Sequence, residues 1–472
     1  MHWQPNRTTN LSLIMQIRDW MLTQISSSAW PVQYRLPSQR QLAATLGVNR
    51  STIQEVIEEL KADGILYSKI GSGTFVASSS WDLLTKQQQP NWQRYIEAGI
   101  HKPNYETIQL INEFEQHDDF IRLSTGELAP SLIPSKQITA SLQSLALDGK
   151  TLGYSSPQGS LKLRRAICDY VKSRGIDTTP EQICIVSGGL QALQLIALGL
   201  LETGSVVFHE KASYLNSVHP FQSFGMQLQA SETLPFLPCM PKHKRAIAYT
   251  IPTLNNPTGA VWSLVQREQF YAHCVAEQLP IIEDDVYHEL LFDTPYPALK
   301  SMDTTNQIVY LGSVSKTLSP GLRIGWVIAS PAVVKRLADV KMQMDYGSSA
   351  ISQEIVAHWL ASGLYEQHVK NLRRVLQQRA QLMENYLQPF QEIASWQSSR
   401  GGFYIWLKFN EPIVTTALFQ QLVRRRVLIN PGYIYAPHDA YHIRLSYAYA
   451  SEEELRHGLT ILLEEAKLSL RK

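Results

Sequence analysis

Residues 313–326 read SVSKTLSPGLRIGW, which sets Lys316 just past an apolar run, between hydroxyl residues, with Arg323 a short loop later. A primary amine at the end of a buried strand can form a Schiff base with an aldehyde. Hydroxyls and an arginine beside it can hold a phosphate. Other apolar runs stop on equally reactive residues. QICIVSGGLQAL ends in Ser187, Gly188 and Gly189 and opens a helix at Leu190. Its free N–H groups and dipole make a phosphate cradle. SVVFHEKASY passes through Glu210 to Tyr214, and RAIAYTIPTLNNPTG ends in Asn255 and Asn256. LPIIEDDVYHEL ends in three acids, Asp284 among them, followed by Tyr287.

Taken singly, these are ordinary turns, solvated acids and core tyrosines. Five strand ends facing one crevice offer more: a phosphate cradle, a flat ring, an amide, a carboxylate, a phenol and a primary amine. Pyridoxal phosphate needs that set. Its aldehyde takes a lysine, its pyridine nitrogen a carboxylate, its ring oxygen a phenol or amide, and its phosphate N–H groups, hydroxyls and an arginine.

Such groups need a sheet to position them. Residues 119–472 alternate apolar strands with helical patterns, which predicts an α/β fold with a mostly parallel sheet and helices on both faces. Ligands of such sheets bind beyond the carboxyl ends of the strands. Residues 79–118 are polar without sustained periodicity and read as a linker with some helical pieces. Residues 1–78 have a different rhythm. Leu13, Ile14, Ile17, Trp20, Met21 and Ile25 recur at helical spacing. In the next helix Ser38 is an N-cap, Leu42, Ala43 and Leu46 form an inner face, and Gly47 is a stop. A further helix starts near Ser51 and buries Ile53, Val56, Ile57 and Leu60. GILYSKIGSGTFVAS then reads as a hairpin. Helix–turn–helix plus wing is a geometry that puts a helix in the DNA major groove.

The bulk numbers are permissive. Over 472 residues the formal net charge is +2, with 44% hydrophobic and 18% charged residues. DNA affinity must therefore come from a local module. Residues 1–78 hold seven Lys and Arg against five Asp and Glu, so a few placed contacts must serve. Cys168, Cys184, Cys239 and Cys274 lie far apart, implying neither metal site nor disulfide framework. No signal-peptide or membrane-spanning stretch is evident, so a cytoplasmic, membrane-free protein is expected.

LPSQRQLAATLGVNRSTIQEVIEELKADGILYSKIGSGTFVA resembles the winged helix of GntR-type bacterial regulators. The resemblance implies that Arg40 and Arg50 meet phosphate or base edges, that Ser51 and Thr52 cap the recognition helix, and that Ser72 and Gly73 reach the minor groove. Gln39 stands where an acid is usual, which bears on operator choice. Residues from about 120 onward resemble a fold-type I aminotransferase with a small C-terminal α/β subdomain. By that resemblance Lys316 carries the Schiff base, and Gly188, Gly189, Leu190, Ser313, Ser315 and Arg323 hold the phosphate. Tyr214 stacks on the ring, Asn256 and Tyr287 meet its oxygen, and Asp284 meets its nitrogen. Tyr154 would reach the partner subunit's phosphate, and Arg444 would pair with a substrate α-carboxylate. Leu190 replaces a common hydroxyl residue, so only its N–H can serve.

The fusion resembles the MocR/GabR family of transcription regulators. In that family a head-to-tail homodimer senses an amino acid or amine through an external aldimine, which releases the lysine and repositions the DNA-binding heads. A working aminotransferase with a vestigial head is the competing expectation, because a freed Lys316 could shuttle a proton.

Overall fold

The computed structural model describes residues 3–7, 11–27, 29–69, 72–77, 96, 99, 104–149, 151–231 and 244–471. The chain forms two compact units, Met1–Gly99 and Ile100–Lys472.

The first unit contains α1 (Leu13–Ser26), α2 (Gln39–Leu46), α3 (Arg50–Ala62), β1 (Leu66–Lys69) and β2 (Gly73–Val76). Ser38 and Gln41 form a reciprocal capping box at the start of α2, and Gly47 ends it at φ +65°. The apolar stripes of the three helices close one small core. Ile17, Met21 and Ile25 of α1 lie buried with Leu42 and Leu46 of α2 and with Ile53, Val56, Ile57 and Leu60 of α3. Each such side chain contributes about 1.5–3 kcal/mol of burial. β1 and β2 pair antiparallel, with Leu66 opposite Val76 and Lys69 opposite Gly73. Residues 70 and 71, in the expected hairpin turn, lie outside the described residues.

α3 begins at Arg50, with extended Asn49 in the N-cap position and no side-chain cap bond. Ser51 and Thr52 therefore stand in the first turn and do not cap it, because the helix already begins at Arg50, one residue before the serine.

Of the stretch read as a linker, residues 79–95, 97, 98 and 100–103 lie outside the described residues. Glu106–Phe114 is a helix of the second unit and buries Ile108 and Ile111 in that unit's core. β3 (Ile121–Arg122) follows it. The main sheet comprises β4 (Ile183–Val186), β5 (Val206–Glu210), β6 (Gln227–Ser231), β7 (Ala246–Thr250), β8 (Ile281–Asp284), β9 (Ile308–Ser313) and β10 (Gly325–Ile328). Their order is β4-β10-β9-β8-β7-β5-β6. β10 runs antiparallel to both neighbours, and the other pairings are parallel.

The strands are apolar on both faces, because helices cover both. Cys184 and Val186 pack toward helices Gly189–Leu200 and Pro331–Asp345, whereas Ile183 and Ile185 pack toward Leu161–Lys172 and Ala350–Ser362. That alternation is the two-residue period of a pleated strand. A second layer holds β11 (Ala394–Ser395), β12 (Tyr404–Phe409), β13 (Val427–Leu428), β14 (Asn430–Pro431) and β15 (His442–Ser446). β11-β12-β15-β14 form an antiparallel sheet, and β13 pairs parallel with β3. This smaller layer carries Arg444 on β15, opposite Trp406 of β12.

Candidate functional site

Along the main sheet, strand ends and the turns after them converge on one cavity of about 240 Å³. Gly188, Gly189, Leu190, Tyr214, Asn256, Asp284, Tyr287, Ser313, Ser315, Lys316 and Arg323 all line it. Of the cofactor residues expected from sequence, only Tyr154 is elsewhere. It is 91% exposed and faces Tyr346, with ring centroids 5.4 Å apart.

The phosphate side is built by β4 and the helix that follows. Gly188 adopts φ +91° as that helix's N-cap, a conformation that favours glycine. A Cβ there would come within 2.8 Å of Arg323 Nη2. The Arg323 guanidinium donates to the Ser187 carbonyl at 2.5 Å. Ser313 Oγ lies 3.0 Å from Ser315 Oγ and accepts the Ser315 N–H at 3.1 Å. A helix N-terminus, two hydroxyls and an arginine thus face one point.

Asp284 ends β8 almost wholly buried. Tyr249 Oη donates to its Oδ2 at 2.8 Å, while Oδ1 is buried without a hydrogen-bond partner among the described residues. Burial pushes the carboxyl up to about 6. A buried carboxylate with a vacant lone pair is costly unless a cation or donor meets it. A protonated pyridine nitrogen would satisfy it. Together with the glycine-lined cradle and the amine of Lys316, the donor set fits pyridoxal phosphate.

Lys316 stands where this cavity meets a second one. That second cavity is also about 240 Å³ and shares Lys316, Tyr214 and Asn256 with the first. Lys316 Nζ donates to the Gly126 carbonyl at 2.6 Å. Arg444 lines the second cavity at 5% exposure. Its Nη1 donates to Asn256 Oδ1 at 2.8 Å and its Nη2 to the Ser124 carbonyl at 2.7 Å, while Nε is buried without a partner among the described residues. The guanidinium lies 4.0 Å over the Tyr404 ring, and Tyr404 Oη bonds Tyr287 Oη at 2.9 Å.

The sequence reading missed Tyr249, Ser124, Gly126, Tyr404 and Tyr435. Tyr249 had a signal, a lone polar atom within the apolar strand AIAYT. Gly126 had one too, ending IRLSTG as the other strands end. Tyr404 and Tyr435 had none, being contributed by the smaller layer.

In the head, charge is sorted by position. Arg18 pairs with Asp63 at 3.1 Å and Lys61 with Glu58 at 3.0 Å. Arg40, Arg50 and Lys69 are exposed and make no ion pair among the described residues. Gly73, at φ +115°, is exposed; a Cβ there would meet Arg35 Nε at 3.1 Å. Arg35 thus adds a cation beside the wing that the sequence reading did not single out. Ser72 is half-buried, and its N–H donates to the Lys69 carbonyl at 2.9 Å. Among the described residues no helix is long and apolar enough to cross a membrane.

Residues 118–462 match the family of aminotransferases class I and II, and residues 13–76 match the bacterial regulatory proteins of the gntR family. The HTH-type transcriptional regulator YisV of Bacillus subtilis (strain 168) is 43% identical over 480 residues, covering 98% of each chain. The HTH-type transcriptional regulator NorG of Staphylococcus aureus (strain N315) is 36% identical over 436 residues, 90% of this chain and 98% of its own. Among solved structures, the α-aminoadipate aminotransferase LysN of Thermus thermophilus superposes with a TM-score of 0.72 at 25% identity. That match covers 81% of this chain and 100% of LysN, which was solved with N-(5'-phosphopyridoxyl)-L-leucine. Pyridoxal phosphate is accordingly the cofactor of the aminotransferase family that the large unit matches. With a gntR-family head, a class I and II aminotransferase body and regulators as its whole-length relatives, the chain belongs to the MocR-type transcription regulators.

Proposed function

We propose that the large unit holds pyridoxal phosphate on Lys316, that a small amino acid displaces this lysine, and that the displacement alters how the head binds operator DNA. The observation that carries the reading is the position of Lys316, shared by a phosphate-cradling cavity and a cavity containing Arg444. When bound, the cofactor supplies an aldehyde carbon that accepts a primary amine. Gly188, Gly189, Leu190, Ser313, Ser315 and Arg323 would bind its phosphate, and Asp284 would hold a proton on its ring nitrogen. Asn256 already accepts from Arg444 through Oδ1, which leaves its amide nitrogen for the ring oxygen beside Tyr287. Tyr214 would stack on the ring.

Arg444 would receive the effector's α-carboxylate, so an amino acid suits this cavity better than a simple amine. A released Lys316 amine still has the Gly126 carbonyl as a hydrogen-bond acceptor. In the head, Arg40, Arg50, Ser51 and Thr52 would contact DNA at the start of α3, with Ser72 and Gly73 at the wing. The exposure of Tyr154, beside Tyr346 that is itself exposed, supports a homodimer in which each Tyr154 completes the partner's phosphate site. A head-to-tail arrangement is part of this proposal.

The test is optical. Purified protein should carry a visible cofactor band that an amino acid shifts, with a parallel change in binding to a promoter fragment beside its own gene. A protein that binds cofactor yet changes neither signal with any amino acid would overturn the reading. A second reading, turnover as an aminotransferase, is favoured by Lys316 Nζ standing at the junction of both cavities. Rapid keto-acid production with 2-oxoglutarate would establish it.

A further inference from the structure

The second cavity holds a carboxylate as well as a guanidinium. Glu115, at the C-terminal end of helix Glu106–Phe114, lines it together with Arg444. Ser124 Oγ and Thr125 Oγ1 both donate to Glu115 Oε1, at 2.7 and 2.6 Å. Oε2 accepts no hydrogen bond from any described residue. The two charged groups belong to one network, because Ser124 also gives its carbonyl to Arg444. Ile108, Ile111, Ile434 and Val218 supply hydrocarbon to a wall that also carries the amides of Asn104, Asn112 and Asn430.

A ligand offering only an α-carboxylate and an apolar side chain would satisfy Arg444 and press methylenes against a half-buried carboxylate, stripping water from it. That desolvation is unfavourable unless a donor replaces the water. We infer that the effector carries a second positively charged group on its side chain and that Glu115 receives it. Its class is a diamino acid, with methylenes between the α-carbon and the distal ammonium lying on the isoleucines. The inference rests on the reading of Arg444 as the α-carboxylate site. It makes Glu115 a specificity-determining residue on the helix that begins the large unit. Thr107 of that helix is hydrogen-bonded to Tyr433 at 3.2 Å, so the reading group sits on an anchored element.

Matched pairs isolate the claim. L-lysine differs from L-norleucine, and L-ornithine from L-norvaline, only by the terminal ammonium. In cofactor-loaded wild-type protein, at least one diamino acid should shift the visible band at a concentration about tenfold or more below its apolar partner, as a charge-assisted hydrogen bond predicts. In Glu115→Gln, whose amide oxygen can still accept from Ser124 and Thr125, this advantage should vanish while the response to the apolar partner is kept. Equal responses within both pairs in the wild type would overturn the inference even if the variant fails to fold. So would a variant that retains the advantage. If neither diamino nor apolar amino acids shift the band, the proposed sensing function falls and this inference with it. If the apolar ones alone do, only Glu115's role is lost.

Discussion

In the head, Arg40 and Arg50, the cations read as DNA contacts, stand in solvent on a small apolar core; in the large unit, Asp284, Tyr287 and Arg444 lie at 5% exposure or less, tied to neighbouring side chains. The difference is physical. A DNA reader works by releasing counterions from phosphates, which needs exposed charge and tolerates the removal of single side chains. A cofactor cavity works in low dielectric, where each buried polar group left without its partner carries a large cost. Substitutions should therefore be graded in the head and close to all-or-none in the cavity.

The largest expected effect tests the second half of that contrast. Lys316→Ala should abolish the visible band completely and the amino-acid response with it, while operator binding persists. Next, Asp284→Asn should weaken cofactor binding roughly a hundredfold, since truncating one side of a buried charged pair costs about 2–5 kcal/mol. Without cofactor, the effect of the same substitution should reverse sign. Burial holds the folded carboxyl up at about 6 against an ordinary 3.8, so the folded state keeps a proton that the unfolded state has released. Stability of the cofactor-free protein should thus fall as pH rises from about 4 through 6. Thermal melts should show Asp284→Asn more stable than wild type above that range and equal to it near pH 4.

Legibility followed the same division. The cofactor wall could be read because parallel strands end on their chemistry: Ser187, Asn256, Asp284 and Lys316 each follow an apolar run. Arg444 was legible from its motif in YHIRLSYA. Its surroundings were not, because Ser124, Gly126, Tyr404 and Tyr435 come from segments far apart in the chain and meet only through the smaller sheet. Glu115 was hidden for another reason. It lies in a stretch whose polarity suggested a linker, although Ile108 and Ile111 tie its helix to the core. In the head the helices and wing are legible from local pattern, but the cap of α3 is not. Asn49 carries no side-chain cap bond that would mark it, and the serine two residues on looks like a better cap.

Smaller effects probe the head. Arg40→Ala and Arg50→Ala should each lower operator affinity about tenfold. For every phosphate that a substitution leaves without its cation, the salt dependence of binding should flatten by roughly 0.9 in logarithmic slope. Unchanged slopes would move the DNA face away from α2 and α3. Gly73→Ala should cost the head about 1 kcal/mol, through its φ of +115° and the approach of Arg35. Its thermal transition should drop by a few degrees with no change in the cofactor spectrum.

In the proposed function, one lysine links the two units. The direct measurement titrates an amino acid that shifts the cofactor band, following absorbance and operator binding in the same samples of wild type and Lys316→Ala. One half-saturation concentration is expected for both signals in the wild type, with no change of either in the variant. An operator response that survives loss of Lys316 would contradict that link.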